Sequence, residues 1–545
     1  MPTPKILVCT AWPYASNVPH LGNLIGSLLS GDVFTRYYKL KGQEAIHVSG
    51  TDAHGTKIEF QAFKAGISPQ ALFERVHAQI LAVLDGFDIH FENYTTTESP
   101  VHQRFVRQIS QQIEANGYIQ AREEERVYCE HDRKFLADSF VIGRCPHCDY
   151  PQAQGNQCDR CGALLEPEEL LHPICRLCGQ DKIIFRKTTN WYFDLSKLAP
   201  QLAKYVGRQH WPDNTAPLVS GLLKQGLQPR AFTRDLKWGI PAPFQGAEGK
   251  VLYVWAEAAL GYVSATIEYF EKLGQAERWR EFWFGDQVRQ IYAIGKDNIP
   301  FHALIFPGQL IASAQGYHLP DTLAATEYLN WLGGEKFSKS RNIGLYADEA
   351  LQLLDGLYWR FYLLYFRPER RDIEFSWNGL DKAINGVFVN NIGNLVNRVL
   401  ALAAKRYGGQ VPQAEITPEI WAEIRRTQTI VDETIQAGLL APALRQIAQL
   451  AVTGNEYVQK NRPWEGDRPE VIAGALQLIK ALVILLEPFV PGYSQKIYPL
   501  LGLERPALQD ILVADGGRRL CPPELIIQPV DTDELRARYE ARQSE

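Results

Sequence analysis

The sequence lacks several features that would place it in common classes of protein. Its longest apolar stretch, ALVILLEPFV, follows Lys480 and is interrupted by Glu487, so no membrane span is expected. The first residues contain no basic segment followed by a long apolar one, so no secretory signal is expected and the protein is predicted to be cytoplasmic. No G-x-x-x-x-G-K-[ST] loop is present, which argues against a P-loop nucleotide hydrolase.

An excess of basic charge is also missing. The net charge is -5 over 545 residues, which argues against a basic surface spread over the whole chain but leaves room for a local one. Hydrophobic residues make up 46% and charged residues 22%, the proportions of an ordinary soluble protein of about three or four domains. Methionine is scarce, since Met1 is the only one, and nothing in the sequence explains this.

Cysteine, in contrast, is concentrated in one short segment. Six of the nine cysteines form three pairs with two residues between partners: Cys145 and Cys148, Cys158 and Cys161, and Cys175 and Cys178. Two thiolates at this spacing on a tight turn fill half of the coordination sphere of a tetrahedral Zn²⁺. The first two pairs are therefore predicted to hold one zinc ion. A disulfide framework is less favoured, because no secretory signal is expected.

The third pair has no obvious second pair beside it. Upstream, CEHD offers Cys129, with Asp132 or His131 in the place of another thiolate, and oxygen or nitrogen ligands are chemically allowed. A second zinc site, formed by Cys129, Asp132, Cys175 and Cys178, is therefore a possibility that the sequence leaves open.

Hydrophobic periodicity predicts an α/β fold. KILVCTAWPY reads as a buried strand, LGNLIGSLLSGDVFTRYYKLKG as a helix and EAIHVSGTDAHGT as a second strand, which is half of a Rossmann-type doubly wound parallel sheet. VLYVWAEAALGYVSATIEYF and QIYAIGKDNIPFHALIFPGQL are predicted to continue the sheet after an inserted zinc-knuckle domain. Long helical runs from about residue 388 predict a C-terminal α-helical bundle. The predicted regions are 1–116, 117–230, 231–330, 331–387 and 388–545.

Two motifs that are far apart in the sequence suit a shared anionic ligand. In AWPYASNVPHLGNLIGS, a helix beginning near His20 directs its N–H groups at the crevice beyond the first strand, and Gly22 allows a ring or ribose close to the backbone. In GGEKFSKSRN, two lysines alternate with two hydroxyl side chains, and this combination suits a polyphosphate. The four residues are Lys336, Ser338, Lys339 and Ser340. Each motif alone is weak, because such turns are common and Lys/Ser loops are usually solvated surface.

Together the two motifs resemble known signatures. HLGN resembles the HIGH motif of class I aminoacyl-tRNA synthetases, and KFSKS resembles their KMSKS motif. GTDAHGT, TRDLKWGIPAP, YVWAEAALGY, IGKDNIPFH and FVNNIGNLVNR narrow the resemblance to the methionyl-tRNA synthetase family, with Asn23 and Phe337 similar to its archaeal and eukaryotic branch. The resemblance implies ATP-dependent activation of L-methionine and its transfer to the 3′ end of tRNA(Met), with release of AMP and diphosphate.

The resemblance also implies roles for individual residues. The implied catalytic residues are His20, Asn23, Lys336 and Lys339. The implied ATP-binding residues are His20, Gly22, Asn23, Lys296, Asp297, Lys336, Ser338, Lys339 and Ser340, with Mg²⁺ on the phosphates. The implied amino-acid pocket consists of Ala11, Trp12, Tyr14, Asp52, Arg234, Trp255, Ala258, Tyr262 and His302. Asp52 would hold the substrate ammonium, although GTDAHGT also allows it to be a helix cap, whereas His47 and His54 are interpreted as structural.

The bundle would meet the anticodon at Asn390, Asn394, Pro463 and Trp464. Pro463 is expected to keep Arg462 extended and to present Trp464 to an unstacked base, although core packing is the alternative for that ring. With these roles, 1–116 and 231–330 become the catalytic halves, 117–230 the connective insertion, 331–387 the KFSKS and stem-contact region, and 388–545 the anticodon-binding bundle.

Some residues depart from the family pattern. Trp12 stands where Leu is usual, Glu257 where Asp is usual, and Ala259 where Pro or a β-branched residue is common; these bear on amino-acid selectivity. Asp132 replaces the usual Cys of the first knuckle. Aromatic walls suit methionine, an uncharged flexible thioether.

Two alternatives remain. A class I synthetase for another apolar amino acid shares both motifs, but its editing insertion would need more room than the roughly 115 residues between the sheet halves offer. A non-catalytic tRNA-binding relative would not need His20, Lys336 and Lys339. The expected partners are tRNA(Met), L-methionine and ATP, without a membrane, and a monomer is expected because no C-terminal dimerisation extension is recognised.

Overall fold

The computed structural model describes residues 4–136, 140–155, 158, 160, 161, 163, 165–212, 214–341 and 343–544, apart from the side chains of Ser340 and Ser544. The strands are β1 (Lys5–Thr10), β2 (Ala45–Thr51), β3 (Asn93–Thr96), β4 (Ile119–Cys129), β5 (Lys134–Phe135), β6 (Val141–Arg144), β7 (Ala153–Gln154), β8 (Leu171–Cys175), β9 (Ile183–Phe193), β10 (Arg230–Ala231), β11 (Thr233–Arg234), β12 (Val251–Leu252), β13 (Val288–Gly295), β14 (Thr322–Thr326), β15 (Leu329–Asn330) and β16 (Ile373–Glu374).

The α-helices are α1 (Leu21–Asn23), α2 (Leu29–Leu40), α3 (Thr56–Ala65), α4 (Pro69–Gly86), α5 (Pro100–Ala115), α6 (Ala199–Val206), α7 (Ala216–Gln225), α8 (Val254–Glu257), α9 (Gly261–Lys272), α10 (Arg280–Trp283), α11 (Phe306–Ala312), α12 (Ala347–Leu353), α13 (Gly356–Tyr365), α14 (Trp377–Asp381), α15 (Asn394–Tyr407), α16 (Pro418–Gln436), α17 (Ala441–Asn461), α18 (Pro469–Leu486), α19 (Pro491–Leu500) and α20 (Thr532–Ser544). Three π-helical segments, Leu24–Leu28, Phe301–Ile305 and Lys382–Gly393, join α-helices into longer runs.

The central sheet is parallel and has the strand order β14-β13-β1-β2-β3. Strand β1 lies in the middle, and its residues after Lys5 are buried, as expected for an apolar strand covered on both faces. From β1 the chain moves first to β2 and β3 on one side and much later to β13 and β14 on the other. This reversal of direction makes the doubly wound sheet that the sequence predicts, and it opens a crevice beyond β1 and β13.

One part of the sheet prediction is wrong. The segment VLYVWAEAALGY does not add a strand to the central sheet, because Val251 and Leu252 pair with Arg234 and Thr233 in a separate two-stranded ladder. The chain then turns into α8 immediately after Tyr253, since only two residues of the apolar run are extended. The strand that resumes the sheet is β13.

The insertion is built on a long antiparallel ribbon. Strands β4 and β9 pair along their whole lengths, and a three-stranded sheet, β7-β6-β8, lies beyond them with the cysteine pairs. This cysteine-rich part contacts α3 of the central domain through Phe60, whose ring lies 5.3 Å from that of Phe140 and 4.8 Å from the guanidinium of Arg176. The insertion therefore has a fixed contact beside the crevice.

The C-terminal part is helical, as predicted, but its helices begin before residue 388. Helix α14, the π-helical segment and α15 form one run over 377–407, so a boundary at 388 falls inside a helix and the division into regions stays a prediction. By length and composition, this run and α18 are long and apolar enough to cross a membrane. In their most apolar stretches, 50% and 89% of the residues are buried inside the protein. Such helices are weak evidence for a membrane, because buried core helices pass the same test.

A buried arginine connects the helical part to the sheet domain. Arg360 on α13 donates from Nη2 to Asp32 on α2 at 2.7 Å. It also donates from Nε to the carbonyl of Phe489 and from Nη1 to the carbonyl of Phe87, both at 2.9 Å. Because an unpaired buried charge is costly, these contacts fix the helical part against the helix that follows β1.

Close approach of α2 to the sheet requires glycine at Gly31. A Cβ there would lie 1.9 Å from Thr10 Oγ1 and 2.5 Å from His47 Nε2, two atoms that are hydrogen-bonded at 2.7 Å. We expect Gly31→Ala to lower stability by about 1–3 kcal/mol, the usual cost of overpacking, and to lower the melting temperature measured by scanning calorimetry. The matched control is Gly221→Ala in α7, where nothing lies within 4 Å of the added Cβ and a gain of about 0.5–1 kcal/mol is expected. An unchanged melting temperature for Gly31→Ala would contradict this account.

Candidate active site and cysteine clusters

A cleft of about 1010 Å³ opens at the carboxyl ends of the central strands. Its walls come from the turn after β1, the loop after β2, the segment around α8, the residues after β13 and the loop before α12. Arg126 and Asn190 of the insertion ribbon also reach it. The structure thus brings the two motifs together at the edge where a doubly wound sheet binds ligands.

The first motif forms the start of the helix that follows β1. His20 is the N-cap of α1; its N–H donates to Asn23 Oδ1 at 3.2 Å, and the Asn23 N–H donates to His20 Nδ1 at 3.3 Å. Burial lowers the pKa of His20 to about 4, so the ring is neutral at physiological pH. Because Nδ1 accepts a hydrogen bond, the proton is on Nε2. A Cβ at Gly22 would lie 3.0 Å from the His20 ring, so glycine at this position leaves the ring the space that it occupies.

The second motif contacts the first directly. The Phe337 ring stacks on His20 with centroids 4.4 Å apart and an angle of 7° between planes. Reciprocal backbone hydrogen bonds of 2.9 Å between Ser338 and Ile343 close the loop. The Lys339 ammonium lies 5.1 Å from the centroid of the Tyr346 ring, which also lines the cleft. The predicted Ser340 side chain lies outside the described part of the structure.

Two predicted cations converge on Tyr328, a residue that the sequence reading did not identify. The ammonium groups of Lys296 and Lys336 lie 4.0 Å and 4.9 Å from its ring centroid, and its hydroxyl donates to Asp297. Burial opposes the charge of Lys296, but ion pairs with Asp372 at 2.6 Å and Glu327 at 2.8 Å raise its pKa. Lys336 therefore supplies an ammonium group suited to a phosphate on this side of the cleft, whereas the charge of Lys296 is balanced by its two carboxylates.

Aromatic rings line the other side of the cleft. Tyr262 donates its hydroxyl hydrogen to His302 Nε2 at 2.8 Å, and His302 Nδ1 donates to the carbonyl of Asn298 at 2.9 Å. Burial lowers the pKa of His302 to about 4, so this pair is neutral. Trp255 is 41% exposed and stacks on Phe301 with centroids 4.4 Å apart. Ala11, Tyr14 and Ala258 line the same region.

Trp12 is wedged between two glycines. A Cβ at Gly261 would lie 2.5 Å from its ring and one at Gly50 would lie 2.7 Å from it, so no larger residue fits at either position without a shift. The ring faces the cleft and is tilted against His102, with centroids 5.8 Å apart. The departure at position 12 is thus accommodated by glycine on both sides.

The predicted polar residues of this region are buried or stacked. Burial and the nearby Glu257 raise the pKa of Asp52 to about 8, although the charge of His54 acts in the opposite direction. The alternative that Asp52 caps a helix is wrong, because the N-cap of α3 is Gly55. The Arg234 guanidinium lies 4.0 Å from the ring centroid of Tyr253 at the rim.

Seven cysteines and Asp132 form two groups of four potential metal ligands. The first is the group that the spacing predicts, and the second is the group that the sequence left open: Cys145, Cys148, Cys158 and Cys161, and Cys129, Asp132, Cys175 and Cys178. In the first group the Sγ atoms of Cys145 and Cys161 are 3.8 Å apart, and those of Cys148 and Cys158 are 3.6 Å apart. A tetrahedral zinc ion with Zn–S bonds of about 2.3 Å separates its thiolates by roughly 3.8 Å. The first group therefore fits a tetrahedral metal ion.

The second group has the same size. Cys129 Sγ is 3.7 Å from Cys178 Sγ, and Cys175 Sγ is 3.3 Å from Asp132 Oδ2. The Asp132 carboxylate takes the place of a fourth thiolate, and carboxylate oxygens are known zinc ligands. All four ligand atoms of each group lie within 4.8 Å of one another.

The four predicted anticodon residues lie in the helical part. Asn390 and Asn394 are exposed, Pro463 is buried and Trp464 is half-buried. The guanidinium of Arg398, one turn after Asn394, lies 4.6 Å from the Trp464 ring centroid, and this contact was not anticipated.

The expectation for Arg462 is wrong. Its φ and ψ are 44° and 56°, because it ends α17 as a left-handed C-cap whose N–H donates to the carbonyl of Val458 at 3.1 Å. Pro463 disfavours the right-handed helical conformation for the preceding residue, and Arg462 leaves that conformation by entering the left-handed region that ends the helix, not by becoming extended.

The chain matches known proteins over almost its full length. The family described as "tRNA synthetases class I (M)" matches residues 6–400. Methionine–tRNA ligases from Caldivirga maquilingensis and Korarchaeum cryptofilum are each 45% identical over 541 and 508 residues, which is 97% and 91% of this chain and 92% and 90% of theirs. The methionyl-tRNA synthetase of Mycobacterium tuberculosis bound by methionyl-adenylate has a similar fold, with a TM-score of 0.79 at 21% identity, over 96% of this chain and 100% of that chain.

Proposed function

The chain belongs to the class I methionyl-tRNA synthetase family, and we propose that its cleft is where L-methionine is activated with ATP and transferred to the 3′ end of tRNA(Met). The observation that supports this most directly is the stacking of Phe337 on His20, because it joins the two signature motifs around one cleft. A synthetase for another apolar amino acid is not favoured, since the relatives at this identity are methionine–tRNA ligases.

Activation requires a carboxylate oxygen of methionine to form a bond to the α-phosphorus of ATP while the bond to the diphosphate oxygen breaks. No proton is transferred, so positioning and charge stabilisation are needed rather than a general base. His20 Nε2–H can donate to a phosphate oxygen, and Lys336 and Lys339 can neutralise the charge that builds up on the diphosphate. Gly22, Asn23, Lys296, Asp297 and the KFSKS hydroxyls complete the proposed ATP site, and Mg²⁺ enters with the nucleotide.

Methionine is proposed to lie between the aromatic rings. Trp12, Trp255 and Tyr262 supply apolar contacts for the thioether, and the Tyr262–His302 pair is neutral, as suits an uncharged side chain. Asp52 would bind the ammonium group, with Ala11, Tyr14, Arg234 and Ala258 around it. The binding of a cation lowers the pKa of a neighbouring carboxyl, so the ammonium would favour the ionised form of Asp52.

The cysteine groups are proposed to be structural zinc sites. Each supplies four ligands with no position left for a substrate, and both lie in the insertion rather than in the cleft lining. Zinc would add to the small hydrophobic core of this part, where the strands β6, β7 and β8 are short.

The transfer step requires tRNA to reach both the cleft and the helical part. Trp464 presents a half-buried ring beside Arg398, and such a pair offers a planar surface to an unstacked base, with Asn390 and Asn394 exposed to bind base edges. One chain supplies both signature motifs and the aromatic rings of the cleft, and we propose that the protein works as a monomer. We also propose that it works in the cytoplasm, where proteins are synthesised.

The role of the lysine loop is tested by Lys336→Ala and Lys339→Ala. Each should slow methionine-dependent pyrophosphate exchange by about 10- to 1000-fold, because a charge contact of the transition state is lost. Methionine binding, measured by calorimetry, should change little. Lys187→Ala, which removes an exposed lysine of the insertion ribbon, is the control. Wild-type exchange rates in both loop variants would exclude the loop from activation.

The metal content is tested by elemental analysis of the purified protein. Two zinc ions per chain are expected, and Cys145→Ser should remove one of them and lower the melting temperature, because a structural metal contributes folding energy directly. Cys521→Ser, outside both groups, should retain two. One zinc ion per chain in the unsubstituted protein would mean that the group with Asp132 does not hold metal tightly.

The role of Trp464 is tested by its replacement with Ala. Loss of one base stack should weaken tRNA binding by about 1–3 kcal/mol, so aminoacylation should fall while tRNA-independent pyrophosphate exchange stays near normal. Trp464→Phe should recover part of the loss, and Trp421→Ala, another partly buried tryptophan of the helical part, should not lower tRNA affinity. If both activities fall together with the melting temperature, Trp464 is a packing residue only.

A further inference from the structure

Behind Asp52 lies a buried row of ionisable side chains that the mechanism above does not use. His54 is at its centre, with Nδ1 2.7 Å from Glu257 Oε1 and Nε2 2.5 Å from Glu98 Oε1. The side chains of His54 and Glu257 are 1% and 0% exposed, whereas that of Glu98 is 26% exposed. Three segments that are distant in the sequence therefore meet at one imidazole ring.

The geometry favours a charged His54. A neutral imidazole has one N–H, but both ring nitrogens of His54 face carboxyl oxygens at hydrogen-bonding distance, so a doubly protonated ring between two carboxylates satisfies both contacts. Burial alone would lower the pKa of His54, but the charge of Glu257 and the hydrogen bonds that the ring donates to Glu257 and Glu98 raise it to about 10. The row holds two carboxylates and one imidazolium, which leaves an excess of negative charge next to Asp52.

Asp52 is coupled to this row. The backbone N–H of His54 donates to Asp52 Oδ1 at 3.3 Å, so His54 contacts Asp52 through its main chain and the two glutamates through its ring. The groups whose charge acts on Asp52 are Glu257 and His54, and Tyr14 beside it faces Tyr253 and Glu257 as well. Within the described residues, His54 is the cationic group whose charge stabilises ionised Asp52.

The row also contains atoms without partners. Glu257 Oε2 and His102 Nε2 are buried, have no hydrogen-bond partner among the described residues, and lie 3.8 Å apart. Glu257 is therefore fixed mainly through its Oε1 contact with His54. Loss of the His54 ring would leave the fully buried Glu257 carboxylate without this ion pair.

We propose that His54 is a positioning residue for amino-acid binding: held by Glu98 and Glu257, it keeps Asp52 able to receive the ammonium group of the substrate. The proposal rests on the proposed function, because it assigns the ammonium to Asp52. It gives Glu257, where the sequence departs from the family pattern, a defined role. His54 acts through Asp52 and does not touch the substrate.

The charges of His54 and Glu257 should affect methionine binding in opposite directions. An ammonium binds the ionised form of Asp52, so methionine binding should strengthen as the pH rises through the pKa of that carboxyl, about 8 in the free protein. Removal of the positive charge in His54→Gln should raise this pKa and shift the profile to higher pH. Removal of a negative charge in Glu257→Gln should lower it and shift the profile to lower pH.

The experiment measures methionine-dependent pyrophosphate exchange by the full-length protein between about pH 6 and pH 9. His54→Gln should raise the KM for methionine on the order of tenfold at neutral pH, equivalent to about one pH unit, and approach the unsubstituted protein at high pH. The KM for ATP and kcat at saturating methionine should change little. Glu257→Gln should move the midpoint in the other direction, and it carries the test alone if His54→Gln does not fold.

His47→Gln is the matched control. His47 is also buried and has both ring nitrogens hydrogen-bonded, to Thr10 and to the carbonyl of His90, but burial lowers its pKa to about 4 and it is neutral. Its replacement removes a buried imidazole without removal of a charge. It should lower the melting temperature and leave the pH dependence of the methionine KM unchanged.

Calorimetry with two methionine analogues separates the inference from the proposed function. L-Methioninol keeps the ammonium and lacks the carboxylate, and its binding should weaken in His54→Gln. 4-(Methylthio)butanoate lacks the amino group, and its affinity should be the same for His54→Gln and the unsubstituted protein. If the pH profiles of the methionine KM do not shift, or shift in the same direction in His54→Gln and Glu257→Gln, the row is purely structural. Absence of methionine-dependent exchange in the unsubstituted protein would overturn the proposed function instead.

Discussion

The parallel pairing of β1 with β13 is the constraint on which the rest of the site depends. Lys5 lies opposite Val288 and Thr10 opposite Ala293, and the Ala11 N–H still donates to the Ala293 carbonyl at 3.0 Å beyond the strand. The turn with His20 and the segment after β13 therefore leave the sheet side by side. The helices that follow these strands diverge, so a crevice forms where the polar residues of both segments collect.

Two π-helical segments lie near the starts of the helices that follow β1 and β13. Leu24–Leu28 follows the HLGN motif, and Phe301–Ile305 includes His302, so both helices that border the crevice widen in their first turns. Such bulges occur often at functional sites, because the added residue turns side chains toward a ligand. Gly31 then brings the helix close to Thr10 and His47, so the wide start does not separate the helix from the sheet.

Charge is distributed unevenly around the cleft. Near the KFSKS loop, cations face the space for phosphates and are held by Tyr328, Glu327 and Asp372. Near the aromatic rings, the Tyr262–His302 pair is neutral, and the charged groups include Arg234 against Tyr253 and the buried row behind Asp52. An acidic chain can thus offer individual lysine ammonium groups to ATP and a local anionic site to an ammonium group, and the net charge of -5 indicates neither.

The sequence by itself determined the features that depend on local spacing. The apolar residues of β1 and β2, the helix after His20 and the close cysteine pairs follow from patterns that span a few residues, and the structure contains each of them. The group with Asp132, which the sequence left open, is formed only when the fold joins distant parts of the insertion. The family follows from the order of motifs along the chain. Local patterns were not sufficient at Val251, which is extended too briefly to join the sheet, or at Arg462, which ends a helix in the left-handed conformation.

Only the tertiary structure decided which distant residues share an environment. Phe337 against His20, Tyr328 between two lysines and Arg398 against Trp464 carry no local signal, because single aromatic and basic residues are common in any sequence. His54 and Glu257 are 203 residues apart, and each alone is an ordinary polar residue. The fold removes both from water and places them in contact, and it is this loss of solvent that turns two ordinary residues into a buried charge pair beside Asp52.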